Sequence, residues 1–314
     1  MPTVLVTGAS GFVGSYVVPA LLSAGHRVRA LVRTDAAGER VLGRLPEPAR
    51  TGVELRLGDV TDRASLDAAV AGSEAVIHLV AIPRDRGDGR QLERVNVEGT
   101  RNLIAAAEAA GVRRYIHQGA LGVVDDPRLH FASSKARGEA LVRASALDWT
   151  ILKPSLLWGE RDGFFNVIAG LVRTAPGLVP VPGNGGARFQ PLAATDVAVA
   201  LRLAVERPAM IGATYELGGP RYWTYRQITR EVLRGMGRKR LIVPVPVVLI
   251  SLVARSAEAV HLPFPVASDQ LRQLGIDNIG PLGGFQAAFG IAPRELAGNL
   301  GYLAHKPAEQ EPHP

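Results

Sequence analysis

The chain has 314 residues, no cysteine, 47% hydrophobic and 21% charged residues, the profile of a globular protein large enough to bury a core. Without a thiol there is no disulfide, thiolate nucleophile, Cys-ligated zinc or protein-ligated iron–sulfur cluster, so any redox chemistry must come from an organic cofactor. A net charge of +7, from 36 basic against 29 acidic residues, draws in phosphates, nucleic acid or anionic lipid headgroups, or simply marks a solvated surface.

Over the first 150 residues, short apolar β-branched runs alternate with segments of helical period, which predicts βαβ units feeding a parallel sheet. The predicted strands are Thr3–Thr7, Arg27–Val32, Val53–Leu57, Ala75–Val80, Arg114–His117 and Thr150–Leu152. The helical stretches between them are Val13–Ala24, Ala64–Ala71, Leu92–Ala110 and Ser133–Ala146. The strands read as continuous apolar runs, as strands covered on both faces do. After Pro154, proline and glycine clusters separate shorter pieces. Thr195–Val205 and Ala213–Leu217 read as a helix and a strand that return to the sheet. The expected organisation is a doubly wound α/β domain over 1–157 with returning elements at about 193–217, a smaller lobe over 158–192 and 218–305, and a flexible tail over 306–314. No apolar run reaches the roughly 20 residues of a spanning helix. The amino terminus enters a strand without a signal stretch, which predicts a cytoplasmic protein.

The strongest chemical signal is the first turn, Thr7-Gly8-Ala9-Ser10-Gly11-Phe12-Val13-Gly14, placed between a buried strand and a helix. Gly8 and Gly11 lack the Cβ that would block a pyrophosphate, Gly14 lets the helix approach the sheet, and the helix N-terminus offers amides to an anion. The bland alternative is a tight βα turn with no ligand. At the end of the second strand, Arg33 and the hydroxyl of Thr34 favour the 2′-phosphate of NADP(H), while Asp35 keeps NAD(H) open.

The GxxGxxG spacing resembles the extended and atypical branches of the short-chain dehydrogenase/reductase superfamily, as do Gly58-Asp59-Val60, Asn96-Val97-Glu98-Gly99-Thr100 and Lys153-Pro154-Ser155. The resemblance implies that Asp59, Val60, Leu79, Val80, Ala81, Pro154 and Ser155 touch cofactor together with Thr7, Ser10, Phe12 and Val13. The alternative for Asp59 is a turn residue capping the next helix. Enzymes of that superfamily use a Tyr-x-x-x-Lys pair and a Ser or Thr after the fifth strand. The matching strings are Phe131-Ala132-Ser133-Ser134-Lys135 and His117-Gln118-Gly119-Ala120-Leu121-Gly122. Lys135 is kept, Phe131 stands for the tyrosine and Gly119 for the serine. A positioned general acid/base contributes about 10²–10⁴-fold, so ordinary carbonyl reduction is poorly supported. Lys135, His130, His117 or a bound water are the candidate substitutes, against bland readings of Lys135 as a ribose ligand and His130 as a loop residue. His117 is read as a strand-end histidine satisfied by its neighbours.

The strings LKPSLLWGERDGFF, ARFQPLAATDVA and YELGGP resemble the atypical members related to the NADPH-binding accessory subunit of respiratory complex I. That resemblance implies a tightly held NADP(H) in a structural, sensory or quinone-associated role, and association with a respiratory complex. A second, quinone-like or small carbonyl ligand is expected beside Phe131, Trp158, Phe164, Phe165, Asn166, Arg188 and Gln190. Core packing of Phe164 and Phe165, and a surface carboxylate for Arg188, are the alternatives. Arg226, Arg230 and Arg234 share one helix face next to the apolar stretch Leu241–Ala254, a pattern of a peripheral membrane surface or of a solvated face. No nucleic-acid module accompanies the charge, and no metal cluster is expected.

Overall fold

The computed structural model describes residues 2–83, 88–175, 177–250, 252 and 276–305. The expected tail at 306–314 and the Pro263–Pro265 cluster lie outside them, as does most of the end of the 241–254 stretch. The described residues fall into two compact units, one within Met1–Pro154 and Ala194–Tyr215, the other within Ser155–Ala193 and Glu216–Pro314.

The first unit is built on β1 (Thr3–Thr7), β2 (Arg27–Val32), β3 (Val53–Leu57), β4 (Ala75–His78), β5 (Arg114–Gln118), β6 (Asp148–Pro154) and β7 (Ala213–Leu217). They form one seven-stranded sheet in the order β7-β6-β5-β4-β1-β2-β3. The pairs from β6 through to β3 are all parallel, with Thr7 opposite Leu31 on one side and His78 on the other. Val4, Leu5 and Val6 are completely buried, because both faces of the sheet are covered. The helices are α1 (Gly14–Ser23), α2 (Asp35–Gly43), α3 (Arg63–Val70), α4 (Gly99–Ala109), α5 (His130–Ala144) and α6 (Ala194–Glu206). α1 packs on α6, and α3, α4 and α5 pack in succession. Right-handed crossovers place these two groups on opposite faces, because the strand order reverses between β1 and β4. A crevice at such a reversal is where open α/β sheets bind ligands.

Among the elements that differ from the sequence expectation, three bear on the site. β4 stops at His78, two residues early, because Leu79 and Val80 turn away at the end of the sheet. A six-residue π-helical turn, Glu93–Glu98, precedes α4. α2 was not expected; Thr34 caps it by accepting from the amide of Ala37, and Gly38 allows Leu55 of β3 to pack against its backbone.

The second unit has short pairs, Leu157–Trp158 with Leu192–Ala193, Arg188–Phe189 with Trp223–Thr224, and Leu178–Pro182 with Leu241–Val245. Its core gathers Trp158, Phe165, Phe189, Tyr225, Ile228 and Leu303 between the helices Phe165–Thr174 and Tyr225–Gly235. The second helix carries Arg226, Arg230 and Arg234, and Arg234 pairs with Glu231. No helix among the described residues is long and apolar enough to cross a membrane.

Asp162 anchors this unit. Its buried carboxylate accepts from the amides of Phe164 (3.0 Å), Phe165 (2.6 Å) and Asn166 (3.2 Å) and from the Tyr302 hydroxyl (2.7 Å). Burial pushes its pKa up from 3.8 to about 6, against the lowering effect of those donors. The native state therefore holds this proton more tightly than the unfolded chain, and the resulting stability is present below about pH 4 and lost as pH rises through about 6. Asp162→Ala should abolish that segment of the pH dependence. It should also lower stability by about 1–3 kcal/mol through the orphaned amides, as urea unfolding at a series of pH values would show.

Candidate functional site

The glycine-rich turn is shaped by close approach. Gly8 has φ +72°, a conformation that costs glycine little. A Cβ on Gly8 would lie 3.2 Å from the amide nitrogen of Val80, so the ends of β1 and β4 nearly touch there. Gly11 donates its amide to Gly8 O at 3.0 Å. A Cβ on Gly14 would overlap the carbonyl oxygens of Gly8 and Ala9. Ser15 N donates to Gly11 O, and Tyr16 N and Val17 N to Val13 O, so these amides are spent within the turn. A phosphate placed above Ser10–Val13 would meet the positive end of the helix dipole.

Below the turn runs a buried chain of hydrogen bonds. Thr7 Oγ1 lies 2.7 Å from His78 Nδ1, and His78 Nε2 lies 3.1 Å from Thr100 Oγ1. Thr100 spends its proton on Asn96 O at 2.7 Å, which assigns Nε2–H as the donor of His78 and Nδ1 as the acceptor. Burial first, and the charge of Lys135 second, hold His78 down to about 3, so it is neutral in use. Asn96 then brackets Ile82 through two bonds and donates to Ser134 Oγ of α5 at 3.0 Å. The segment Leu79–Ile82 is thereby fixed between the glycine turn and α5.

At the other side of the turn, Arg33 follows β2 and is exposed, while the Thr34 side chain accepts from Ala37 N as a helix cap. Gly58 N donates to Val32 O, which sets the Gly58–Asp59 turn beside the end of β2. Asp59 accepts from Thr61 N at 2.8 Å, and Val60 is buried against Gly99. One contact had no sequence signal: Arg44, just past α2, donates Nη1 to Ser10 O at 2.5 Å.

The place of the proton-transfer machinery is occupied differently. Lys135 is buried and donates Nζ to Gln118 O at 2.7 Å. Burial lowers its pKa to about 8, with the Glu139 charge opposing. Phe131, one helical turn earlier, is half-buried and carries no hydroxyl. Glu139 fills the space beside Gly119: a Cβ there would overlap Glu139 Oε1. The Glu139 carboxylate is itself buried, 3.4 Å from Lys153 Nζ and 3.2 Å from Arg143 Nη2. His130 begins α5 with its ring beside Gly89. His117 departs from expectation. It is buried, packs on His78 with ring centroids 5.4 Å apart, and neither ring nitrogen has a hydrogen-bond partner among the described residues. Burial and the nearby Lys135 charge push its pKa well below the ordinary value, so the ring stays uncharged.

Pro154 ends β6 and accepts from Leu121 N at 3.0 Å. In the second unit, the Ser155 hydroxyl donates to Asn278 Oδ1 at 2.6 Å and accepts from Gln190 N at 3.2 Å. Gln190 spends its amide on Gly219 O and Gly280 N. Phe164 packs edge-on to Phe165 and Tyr225, and Trp158 and Phe165 are core residues. Asn166 donates to Asp162 O, and Arg188 pairs with Asp277 at 2.6 Å. Six of the seven residues expected around a second ligand thus belong to this unit, and Phe131 to the first.

A family model described as NAD(P)H-binding matches residues 8–171. The chain is 29% identical to NADH dehydrogenase [ubiquinone] 1 alpha subcomplex subunit 9, mitochondrial, of Arabidopsis thaliana, over 88% of this chain and 68% of that one. It is 32% identical to sterol demethylase protein B of Methylococcus capsulatus, over 77% of each. An NADPH-dependent quinone oxidoreductase from Escherichia coli shares the fold, with a TM-score of 0.73, 20% identity and coverage of 96% of this chain and 99% of that one.

Proposed function

We propose a function from one premise: the chain belongs to the NAD(P)H-binding family, within the atypical short-chain dehydrogenase/reductase group. Its role is to hold NADP(H) with little dehydrogenase turnover, serving a structural, sensory or quinone-linked purpose. The observation that carries this reading is a mismatch inside one unit. The nucleotide turn is built to contact tolerance at Gly8 and Gly14, while the positions of the two expected hydroxyls hold Phe131 and Gly119, which carry none. NADP(H) is favoured over NAD(H) because Arg33 stands at the end of β2; the Thr34 hydroxyl, expected to help, instead caps its helix. The Arabidopsis relative, a subunit of a mitochondrial NADH dehydrogenase, supports association with a respiratory complex.

The test mixes purified protein with stoichiometric NADPH and follows nucleotide fluorescence while a soluble quinone and small ketones are added. A binding signal that stays constant supports the reading. Repeated oxidation of NADPH overturns it in favour of a reductase.

That second reading has its own observation, a buried Lys135 ammonium with its pKa brought down to about 8. Bound NADPH supplies a hydride to a carbonyl carbon, and Lys135, with His130 as the other candidate, supplies the proton to the carbonyl oxygen and regains it from water. On this reading, turnover falls as pH rises through about 8, because the ammonium that donates is lost. Lys135→Met should then abolish turnover with nucleotide still bound, and an unchanged rate would dispose of Lys135 as the acid.

A further inference from the structure

The second unit gathers cations and bare aliphatic side chains along one stretch of chain. We propose that residues 230–252, with Leu178 beside them, form a docking surface for an anionic lipid membrane, an inference independent of the nucleotide reading. The helix Tyr225–Gly235 buries Ile228, Val232 and Leu233 and leaves Arg230 and Arg234, four apart, exposed on its other side. It closes with Gly237 at φ +62° and with Arg238 N donating to Leu233 O at 2.9 Å. That closure reverses the chain, so Arg238-Lys239-Arg240 leads directly into the strand Leu241–Val245. Leu241 pairs in register with Leu178, and both are exposed, Leu241 at 69%. Beyond the strand, 247–250 and 252 are helical, and Val248 (81% exposed), Leu249 and Leu252 stand out to solvent. Position 252 is four from 248 and three from 249, so the three share one helix face.

Charge and apolarity are both one-sided here. The 26 residues from Val232 to Ala257 hold five cations and no acid. The acid before them, Glu231, is buried and pairs with Arg234. Of the eleven large apolar side chains exposed among the described residues, five belong to this surface, and a cluster of that kind marks an interaction site. All five are leucine or valine, without the aromatic anchors that mark the cores of protein–protein interfaces. Aliphatic side chains flanked by arginine and lysine suit the boundary of a bilayer, where the chains enter the acyl region and the cations meet headgroup phosphates. An acidic protein would match the cations and leave the leucines in water. The membrane satisfies both.

The experiment is flotation of the full chain with vesicles of phosphatidylcholine alone, or of phosphatidylcholine mixed with phosphatidylglycerol, at low and high salt. Wild type should float with the anionic vesicles only and release as salt rises. The triple variant Arg238→Gln, Lys239→Gln, Arg240→Gln should bind roughly 100-fold more weakly, at about fivefold for each basic residue. The double variant Leu249→Gln, Leu252→Gln keeps every charge and should bind about tenfold more weakly or worse. All these positions face solvent or are half-buried, so melting temperatures should match wild type. Val248→Gln, at the most exposed of the apolar positions, carries the same test if the double variant fails to fold. Absence of wild type from the anionic vesicles, equal flotation with neutral ones, or unchanged binding of either variant would overturn the inference. Retention on immobilised polyglutamate without flotation would also overturn it, and would give the surface to an acidic protein.

Discussion

Gly14→Ala is expected to weaken NADPH binding by more than about 100-fold and to lower the melting temperature of the protein. The added methyl would overlap the carbonyl oxygens of Gly8 and Ala9 and come within 2.7 Å of Ala9 C. These are backbone atoms of the turn itself, so no side chain can swing aside to relieve the clash. Overpacking of this kind costs about 1–3 kcal/mol of stability, and more where the backbone must move. The motion required opens the β1–α1 turn and displaces the helix end that faces the phosphate. Each 1.4 kcal/mol of lost binding is tenfold in affinity, and misplacing two charge-assisted bonds gives the expected loss. Gly43→Ala is the control. A Cβ there meets nothing within 4 Å, and alanine at the end of α2 should leave affinity unchanged while stabilising the helix by up to about 1 kcal/mol. Calorimetric titration and thermal unfolding read both effects. A Gly14→Ala protein that binds NADPH within threefold of wild type would show that the turn does not grip the nucleotide.

The features that sequence made legible are local in chain position or strong in pattern. Val4–Val6, Val28–Val32 and Ala75–His78 are buried strands flanked by turn residues, and the topology follows once they alternate with helices. The glycine spacing was legible because each glycine answers a separate geometric demand. α2 was not, since Asp35–Gly43 contains two glycines and little apolar periodicity; it stands on the Thr34 cap and on the packing of Leu55 against Gly38. Arg44 escaped notice because nothing separates it from the other arginines until the fold carries it to Ser10. Asp162 escaped because a carboxylate in a Gly/Pro-rich stretch reads as a surface turn, whereas here it is fully buried at the start of a helix. His117 shows the opposite limit. Its position in β5 was legible, but the lack of a hydrogen-bond partner depends on which side chains α5 brings over the strand.

Phe131→Tyr is expected to raise NADPH-dependent reduction of a soluble quinone or small ketone by about 10²-fold or more over a slow wild-type rate. Residues 131 and 135 lie four apart on α5 and therefore share a face. The new phenol would stand beside the Lys135 ammonium, whose positive charge favours the phenolate and lowers its pKa. A polar tip is tolerated because Phe131 is only half-buried, so NADPH affinity should stay within about threefold. Gly119→Ser, which restores the other missing hydroxyl, should give no such gain. Its Cβ would fall on Glu139 Oε1, and displacing that buried carboxylate disturbs its pairing with Lys153 and Arg143. Single-turnover kinetics on the wild type and both variants separate these outcomes, with nucleotide binding measured in parallel. If Phe131→Tyr binds NADPH normally and gains nothing, the missing phenol is not what keeps turnover low, and the cause lies in how the nicotinamide or a second ligand is presented. A gain confined to Phe131→Tyr would mean that Lys135 still stands in its working geometry and that one hydroxyl separates a binding protein from a reductase.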